Sequence, residues 1–504
     1  MNPLLLTDGY KTGHHQQYPK GTTLVYSNFT PRSNKYAPKG CEQIVSFGQQ
    51  MVMMQIHEAF QNEFFSKPKE EVCGEMKREL SMYLGTDYDV THFEKLHDLG
   101  YLPIHVKGIE EGTLVPMKIP VLTIYNTVPD FYWVTNYLET ILSNLLWKPM
   151  TSATIAHQYR KVLTSWMEKT DKERAWFIDW QGHDFSMRGM DSVEAVISSG
   201  LGHLTSFSGT DSLPTLHGAR KFYGEEGFVG GSVNATEHSV MCAGSKDDEV
   251  GTFRRLLETY PTGILSVVSD TWDLWKVCTE HVVTLKEEIL ARDGKLVIRP
   301  DSGDPVKIIC GIDDYKQDDD GTMYEAHYTS GMFRDRGRKI SPSEQKGVIE
   351  LLWEVFGGTV NEQGYKVLDS HIGAIYGDSI TIDRANEICE RLEAKGFAST
   401  NIVLGVGSFT YQLNTRDTFG FAMKATYVKV NLEERNIFKD PITDDGTKKS
   451  ATGLLCVVSE NDGPLELIDK VNWGLENKGL LQTIYKDGEF HNQTTLTEIR
   501  NRLK

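Results

Sequence analysis

LVIRPDSGDP, residues 296–305, decides how the rest of the chain is read. Leu296, Val297 and Ile298 form the short continuous apolar run that a strand buried on both faces requires. The run stops at a cation, Arg299. Pro300 and Gly303 then turn the chain, with carboxylates at Asp301 and Asp304. Charge at the tip of a buried strand raises the question of what it faces, and the arrangement recurs.

Between about residues 175 and 407, short apolar runs end in Gly, Ser, Asp or Arg, and a helical pattern usually follows. The runs are WFIDW (176–180), LTSFSGTD (204–211), GILSVVSD (263–270), KLVIRPDSG (295–303), HIGAIYGD (371–378) and NIVLGVGS (401–408). DRANEICERLEAKG places Ala385, Ile388, Cys389 and Leu392 on one helical stripe, with Gly396 as the stop. DTWDLWKVCTEHVVTLKEEILAR (270–292) and SPSEQKGVIELLWEVFGG (341–358) read as helices too. Strands alternating with helices imply a parallel sheet with helices outside, an α/β barrel or a doubly wound sheet. Either gathers the strands' C-terminal ends on one face, where such folds put their sites.

Residues 1–150 mix strand-like TTLVYSNF, LPIHVKGI and VPMKIPVLTIY with helical FYWVTNYLETILSNLLW, and 417–504 contain a strand-like ATYVKVNL. The expected organisation is therefore a barrel domain over 151–416 and a second α/β domain built from 1–150 together with 417–504. The hydrophilic stretch 311–330 contains DDDG. With Gly321 as a calcium-loop glycine, the first and twelfth positions are Lys316 and His327, not the required acids, so a solvated loop is expected.

The chain has 504 residues, of which 39% are hydrophobic and 24% charged, enough for a large core. Its net charge of -17 disfavours nucleic acid as a partner, although local basic pockets are compatible with it. Seven cysteines without a CxxC pair read as reduced thiols of a cytoplasmic protein. MNPLLLTDGYKTGHH has too short an apolar run for a signal peptide, and no run reaches membrane-helix length, so neither secretion nor a membrane is expected.

The strand tips share a chemistry. Asp211, Asp270, Asp301 and Asp378 are carboxylates at four of them, Arg188 and Arg299 are cations on the same face, and Gly377, Gly405 and Gly407 permit close backbone approach. Backbone N–H groups beside glycine cradle phosphate, and carboxylates accept from ribose hydroxyls or hold Mg²⁺. An Asp after a strand is commonly only a helix cap, but several tips agreeing suit a phosphorylated sugar with a divalent cation.

The motifs TDGYK (7–11), DFSMRG (184–189), GTD (209–211), EHS (237–239), SVVSD (266–270), RPDSG (299–303), YGD (376–378) and QLNTRD (412–417) occur in this order. Together they closely resemble the nicotinamide phosphoribosyltransferase family, among the type II phosphoribosyltransferases. The resemblance implies an irregular α/β barrel with a second α/β domain, and a head-to-tail homodimer with shared active sites. It also implies transfer from 5-phosphoribosyl-1-pyrophosphate to nicotinamide, with Mg²⁺, and with ATP as a coupling co-substrate.

Position by position, Phe185 and a partner subunit's Tyr10 match the rings that sandwich nicotinamide, which gains burial and, beyond the area buried, a stacking worth about 0.5–1.5 kcal/mol per pair. Asp211 matches the acceptor of the carboxamide, which would repel nicotinate, and Ser266 a further substrate contact. Arg299 and Asp301 match the substrate arginine and the carboxylate for ribose hydroxyls and magnesium, and Asp270 the second magnesium-side carboxylate. Gly377 and Asp378 match a ribose-contacting pair, while Arg188, Gly407 and Ser408 match the 5-phosphate pocket. Arg32, Arg416, Lys424 and Lys439 resemble the cluster a partner chain supplies to pyrophosphate. His238 matches a histidine that ATP phosphorylates, and Glu237 beside it is expected to hold its tautomer.

Two departures mark a bacterial-type branch: GVGSF at 405–409 where the animal-type run is GSGGG, and Ala422 where some relatives have serine. The alternatives are a nicotinate phosphoribosyltransferase, a phosphosugar aldolase or isomerase on a TIM barrel, and a non-catalytic nucleotide-binding protein on the same fold. An aldolase would want a Schiff-base lysine or general base at a tip, and none stands out.

Overall fold

A computed structural model describes residues 1–329, 332–439, 451–460 and 463–504. The strand that leads into RPDSG spans Asp293–Arg299 and pairs in parallel with Thr262–Val268 on one side and Ile372–Tyr376 on the other. Seven strands continue this sheet, in the order 209–210, 182–184, 402–406, 372–376, 293–299, 262–268, 234–235, and every pairing is parallel. A further parallel bridge joins Gly209 to Gly231, three residues before the opposite edge strand. There Thr210 N–H donates to the Gly231 carbonyl at 3.0 Å, and the sheet curls into the expected irregular α/β barrel.

The helices outside follow their apolar stripes. Ile382–Ala394 buries Ile382, Ala385, Ile388, Cys389 and Leu392, starts at a Thr381 cap and gives way to Gly396 at φ 76°. Four readings change. WFIDW is not a strand: Lys172–Phe177 and Ile178–Gln181 are helical, and the strand begins at Gly182. Its inward residues, Ile178 and Gln181, are three apart, a helical spacing. In LTSFSGTD only Gly209–Thr210 pairs, because Val193–Leu204 is a helix that runs into it. The 270–292 helix is broken, with a wide turn at Val277–His281 that carries His281 inward toward Glu249.

The fourth change is in 311–330, which does not form a loop. Tyr315–Gln317, Met323–Thr329 and Met332–Ile340 make an antiparallel sheet. Gly321 adopts φ 84° in the turn, and Asp318 N–H donates to the Thr322 carbonyl at 2.9 Å. The acidic residues that suggested a loop stand at a hairpin tip, with Asp319 and Asp320 exposed.

The second large sheet is antiparallel, in the order 433–436, 422–430, 22–30, 122–126, 104–109, 481–486, 489–490. Strands from the two ends of the chain are its neighbours. Lys107 and Glu476 tie them with a buried ion pair at 2.9 Å. Helix Glu139–Thr170 spans both cores: Leu142, Leu146 and Met150 pack in one, Ile155, Tyr159 and Leu163 in the other. The sequence boundary at 150/151 falls inside this helix.

Candidate active site

Parallel pairing brings the strand tips to one face, and backbone hydrogen bonds lock them there. Ser269 N–H donates to the Arg299 carbonyl at 3.1 Å, and Gly377 N–H to the Pro300 carbonyl at 3.0 Å. Asp270 Oδ2 accepts from the N–H groups of Asp301 and Ser302 at 2.9 and 2.8 Å, so one carboxylate shapes the RPDSG turn. Gly377 packs closely here: a Cβ would lie 3.0 Å from Arg299 Nε and 3.1 Å from Asp301 Cβ.

That clamp leaves Asp270 Oδ1 buried and, among the described residues, without a hydrogen-bond partner. It lies 4.0 Å from His238 Nε2, which is 3.3 Å from Asp301 Oδ1. Ligand atoms of His238, Asp270 and Asp301 all fall within 4.8 Å of one another. His238 Nδ1 is 3.0 Å from Thr271 Oγ1. The expectation for Glu237 fails: its carboxylate accepts from Ser239, and Thr271 and Asp301 are the histidine's partners.

Beside this cluster, along the barrel interior, is a cavity of about 350 Å³ whose wall includes Phe185, Asp211, Ser266 and Arg299. The Arg299 guanidinium lies 4.8 Å from the Phe185 ring centre. Arg299 Nε and Ser266 Oγ are buried without hydrogen-bond partners among the described residues. Burial pushes the Asp211 carboxyl up, but hydrogen bonds from His183 and Ser232 and the charges of His183 and Arg299 outweigh it, so the group sits below the ordinary range. The site thus offers one fixed anion and two unspent polar groups around a half-buried aromatic ring.

Toward the rim, Gly407 packs where a Cβ would strike the Asp378 carboxylate, which itself accepts from Ser379 N–H at 2.6 Å. The turn Met187–Gly189 carries exposed Arg188, and Gly189 lies against the Ser408 side chain. Asp378, Arg188, Gly407 and Ser408 therefore belong to one edge of the same face.

Tyr10, Arg32, Arg416, Lys424 and Lys439 are elsewhere, and none lines the cavity. Tyr10 is 63% exposed on the turn Gly9–Gly13, with Lys11 and His14 as its neighbours. The four cations do gather on the antiparallel sheet. Burial, then the charges of Arg32, Lys439 and Arg416, lower the Lys424 amine against the opposing influence of Glu139. Glu139 also pairs with buried Lys11 at 2.7 Å, which joins the Tyr10 turn to the cluster.

The sequence reading missed His183, Ser232 and Thr271. His183 had a signal: it stands two residues before Phe185 on a strand, so both side chains share a face. Thr271 and Ser232 had none, since their roles depend on distant tips.

A family model described as nicotinate phosphoribosyltransferase (NAPRTase) matches residues 180–501, and one described as the N-terminal domain of nicotinamide phosphoribosyltransferase matches 2–97. The chain is 48% identical, over its whole length and 97% of the relative's, to a nicotinamide phosphoribosyltransferase of Acinetobacter baylyi. It is 34% identical to that of Mycoplasma pneumoniae, over 89% of this chain and 94% of the relative. Among solved structures, the human nicotinic acid phosphoribosyltransferase superposes with a TM-score of 0.54 at 14% identity, covering 99% of this chain and 92% of that one. A nicotinate-nucleotide pyrophosphorylase of Pyrococcus furiosus gives 0.53 at 15%, covering 100% and 95%. At those identities the structures speak for the fold alone.

Proposed function

The chain belongs to the nicotinate phosphoribosyltransferase family, on its nicotinamide phosphoribosyltransferase branch, and from that premise we propose how its residues carry the transfer. It is a pentosyltransferase of NAD biosynthesis that joins nicotinamide to 5-phosphoribosyl-1-pyrophosphate, giving nicotinamide mononucleotide and pyrophosphate.

One observation carries the base assignment: ionised Asp211 lines one cavity with Phe185 and with Arg299 Nε and Ser266 Oγ, which have no hydrogen-bond partner among the described residues. A carboxamide has an N–H₂ for Asp211 and a carbonyl for Arg299 or Ser266. A carboxylate has acceptors only, and one would face Asp211. This favours nicotinamide over nicotinate.

The ribose lies over Gly377, Asp378 and Asp301, and its 5-phosphate reaches Arg188, Gly407 and Ser408. The pyridine nitrogen carries no proton and needs no base. It attacks C1 while the bond to pyrophosphate breaks, and the carboxylates of Asp301 and Asp378 stabilise the positive charge that develops on the sugar. Placement and fixed charge supply the catalysis.

The unpartnered Asp270 Oδ1 and the adjacent Asp301 carboxylate are hard oxygen donors that fit Mg²⁺. Bound there, the ion would supply charge neutralisation on the pyrophosphate. Arg32, Arg416, Lys424 and Lys439 would complete that neutralisation from a second copy, with its Tyr10 closing the aromatic sandwich. The supports for this homodimer are the gathered cations and the exposed ring, both outside the chain's own cavity. ATP coupling would use His238, whose ring stands between Thr271 and Asp301: it takes the terminal phosphoryl group as ADP leaves and later yields it to water. The same reading divides the chain into a barrel domain, 151–416, and a chain-end domain, and makes the protein cytoplasmic. Among the described residues no helix is long and apolar enough to cross a membrane.

The test is incubation with nicotinamide, the sugar pyrophosphate and Mg²⁺, with and without ATP, for wild type and His238→Ala. Wild type should form the mononucleotide in both conditions, with more product when ATP is present. His238→Ala should keep the ATP-independent level and lose the gain. No mononucleotide from wild type would overturn the function, and a gain that survives in the variant would remove His238 from the coupling.

A further inference from the structure

The base-binding carboxylate does not stand alone. His183 Nε2 lies 2.9 Å from Asp211 Oδ1, and the imidazole is buried while Asp211 is 40% exposed toward the cavity. An ionised carboxylate only accepts, so the proton of this bond is on Nε2. His183 Nδ1 has no hydrogen-bond partner among the described residues. The ring also lies 4.4 Å from the Phe185 ring, tilted by 32°, so one strand segment positions both the stacking ring and the donor.

The backbone makes room for this ring. A Cβ on Gly209 would lie 2.7 Å from His183 Nδ1, closer than real side chains approach. Gly209 and Asp211 belong to the same GTD turn. The glycine that admits the histidine is therefore two residues from the carboxylate the histidine holds.

We propose that His183 is a positioning residue for base selection, which fixes Asp211 as an oriented, ionised acceptor and so discriminates carboxamide from carboxylate bases. The inference rests on the assignment of Asp211 to the base. Removing the Nε2–H leaves Asp211 with Ser232 and Arg299 against its burial, the largest influence on it. The carboxyl then moves upward, and as pH falls an acid form appears that can donate to nicotinate. Charged groups on the wall of the same cavity are Arg299, Arg174 and Lys295, and buried Asp184 and His203 are further titratable groups near the pair.

The experiment measures kcat and KM for nicotinamide and nicotinate between pH 5.5 and 8 in wild type, His183→Phe, His183→Gln, Gly209→Ala and Asp211→Asn. Phenylalanine keeps a ring beside Phe185 and removes the donor, whereas glutamine keeps an N–H. Wild-type preference for nicotinamide should change little across the range. His183→Phe should lower it about 10- to 100-fold, mainly through a higher KM for nicotinamide, with the loss growing as pH falls. His183→Gln should recover most of the preference, and Gly209→Ala should reproduce the His183→Phe pattern. If Asp211→Asn relaxes selectivity while His183→Phe and Gly209→Ala keep the wild-type ratio at every pH, this inference is wrong and the base assignment stands. If Asp211→Asn also leaves the ratio unchanged, the base assignment itself falls. Should His183→Phe fail to fold, the Gly209→Ala ratio decides the matter in the same way.

Discussion

The parallel and antiparallel sheets hold their charged groups in different ways. On the parallel barrel each one is built in: Asp270 is clamped by two backbone N–H groups, Gly377 leaves room for Arg299, and Asp211 is held by His183. Around Lys424 of the antiparallel sheet, Arg32, Lys439 and Arg416 are gathered, and partial burial, then their repulsion, lowers the Lys424 amine. Like charges so arranged cost stability unless an anion comes to them. The barrel face has carboxylates, an apolar slot and few cations, and the sheet has the cations and an exposed ring. Each surface has what the other lacks, which is the physical case for a site shared between two chains.

The largest effect should come from the barrel side. Arg299→Ala removes the cation facing Phe185 and Asp211, and transfer measured as kcat/KM should fall about 10²- to 10³-fold with little change in the thermal midpoint. A fall of less than about tenfold would mean that charge on this face is less specialised than the comparison requires.

The antiparallel sheet has its own weak point, which is structural. Lys107 and Glu476 are 4% and 0% exposed, and Lys107 Nζ also donates to the Glu476 carbonyl at 3.1 Å. Lys107→Met strands a buried carboxylate and should cost about 3–5 kcal/mol of stability, with Lys107→Met/Glu476→Leu recovering much of it. Unfolding midpoints measure this. A single variant as stable as wild type would show that the chain ends are not joined there.

The smallest effect lies behind the barrel face. Burial, helped by Asp273, raises the Glu249 carboxyl to about 7, beside His281 at 3.4 Å. The folded state therefore holds this proton more tightly than the unfolded chain. Stability is lost as pH rises from the ordinary carboxyl range toward 7, and the penalty is complete above it. Glu249→Gln removes the charge and keeps a donor for His281. It should stabilise by about 1–2 kcal/mol at pH 8 and by almost nothing near pH 5. A gain independent of pH would contradict the assignment.

Much of the barrel was legible in the sequence, for a physical reason. A strand buried on both faces must be apolar throughout, so Leu296–Val297–Ile298 ending at Arg299 admits few other readings. WFIDW was misread because a five-residue mixed run carries too little periodicity to separate strand from helix. The 311–330 hairpin was hidden by its acidic tip, although Gly321 after three aspartates is a turn signal in its own right. Within the site, residues marked by a motif were found and their supporting partners were not. His183 and Asp211 are 28 residues apart, and only the pairing of Gly182–Asp184 with Gly209–Thr210 brings them together. Thr271 takes the place given to Glu237 because the histidine's neighbours come from the next strand tip rather than from its own segment.

Mixing two inactive chains tests the shared site most directly. Asp301→Ala damages the barrel face and Tyr10→Ala the sheet side, and each homodimer should be inactive or nearly so. Dissociated, mixed in equal amounts and reassociated, half of the dimers are hybrids with one undamaged site, and activity should recover to about one quarter of wild type. If every chain contained a complete site, the mixture would show only the mean of the two defective enzymes, and the account of two complementary surfaces would be wrong.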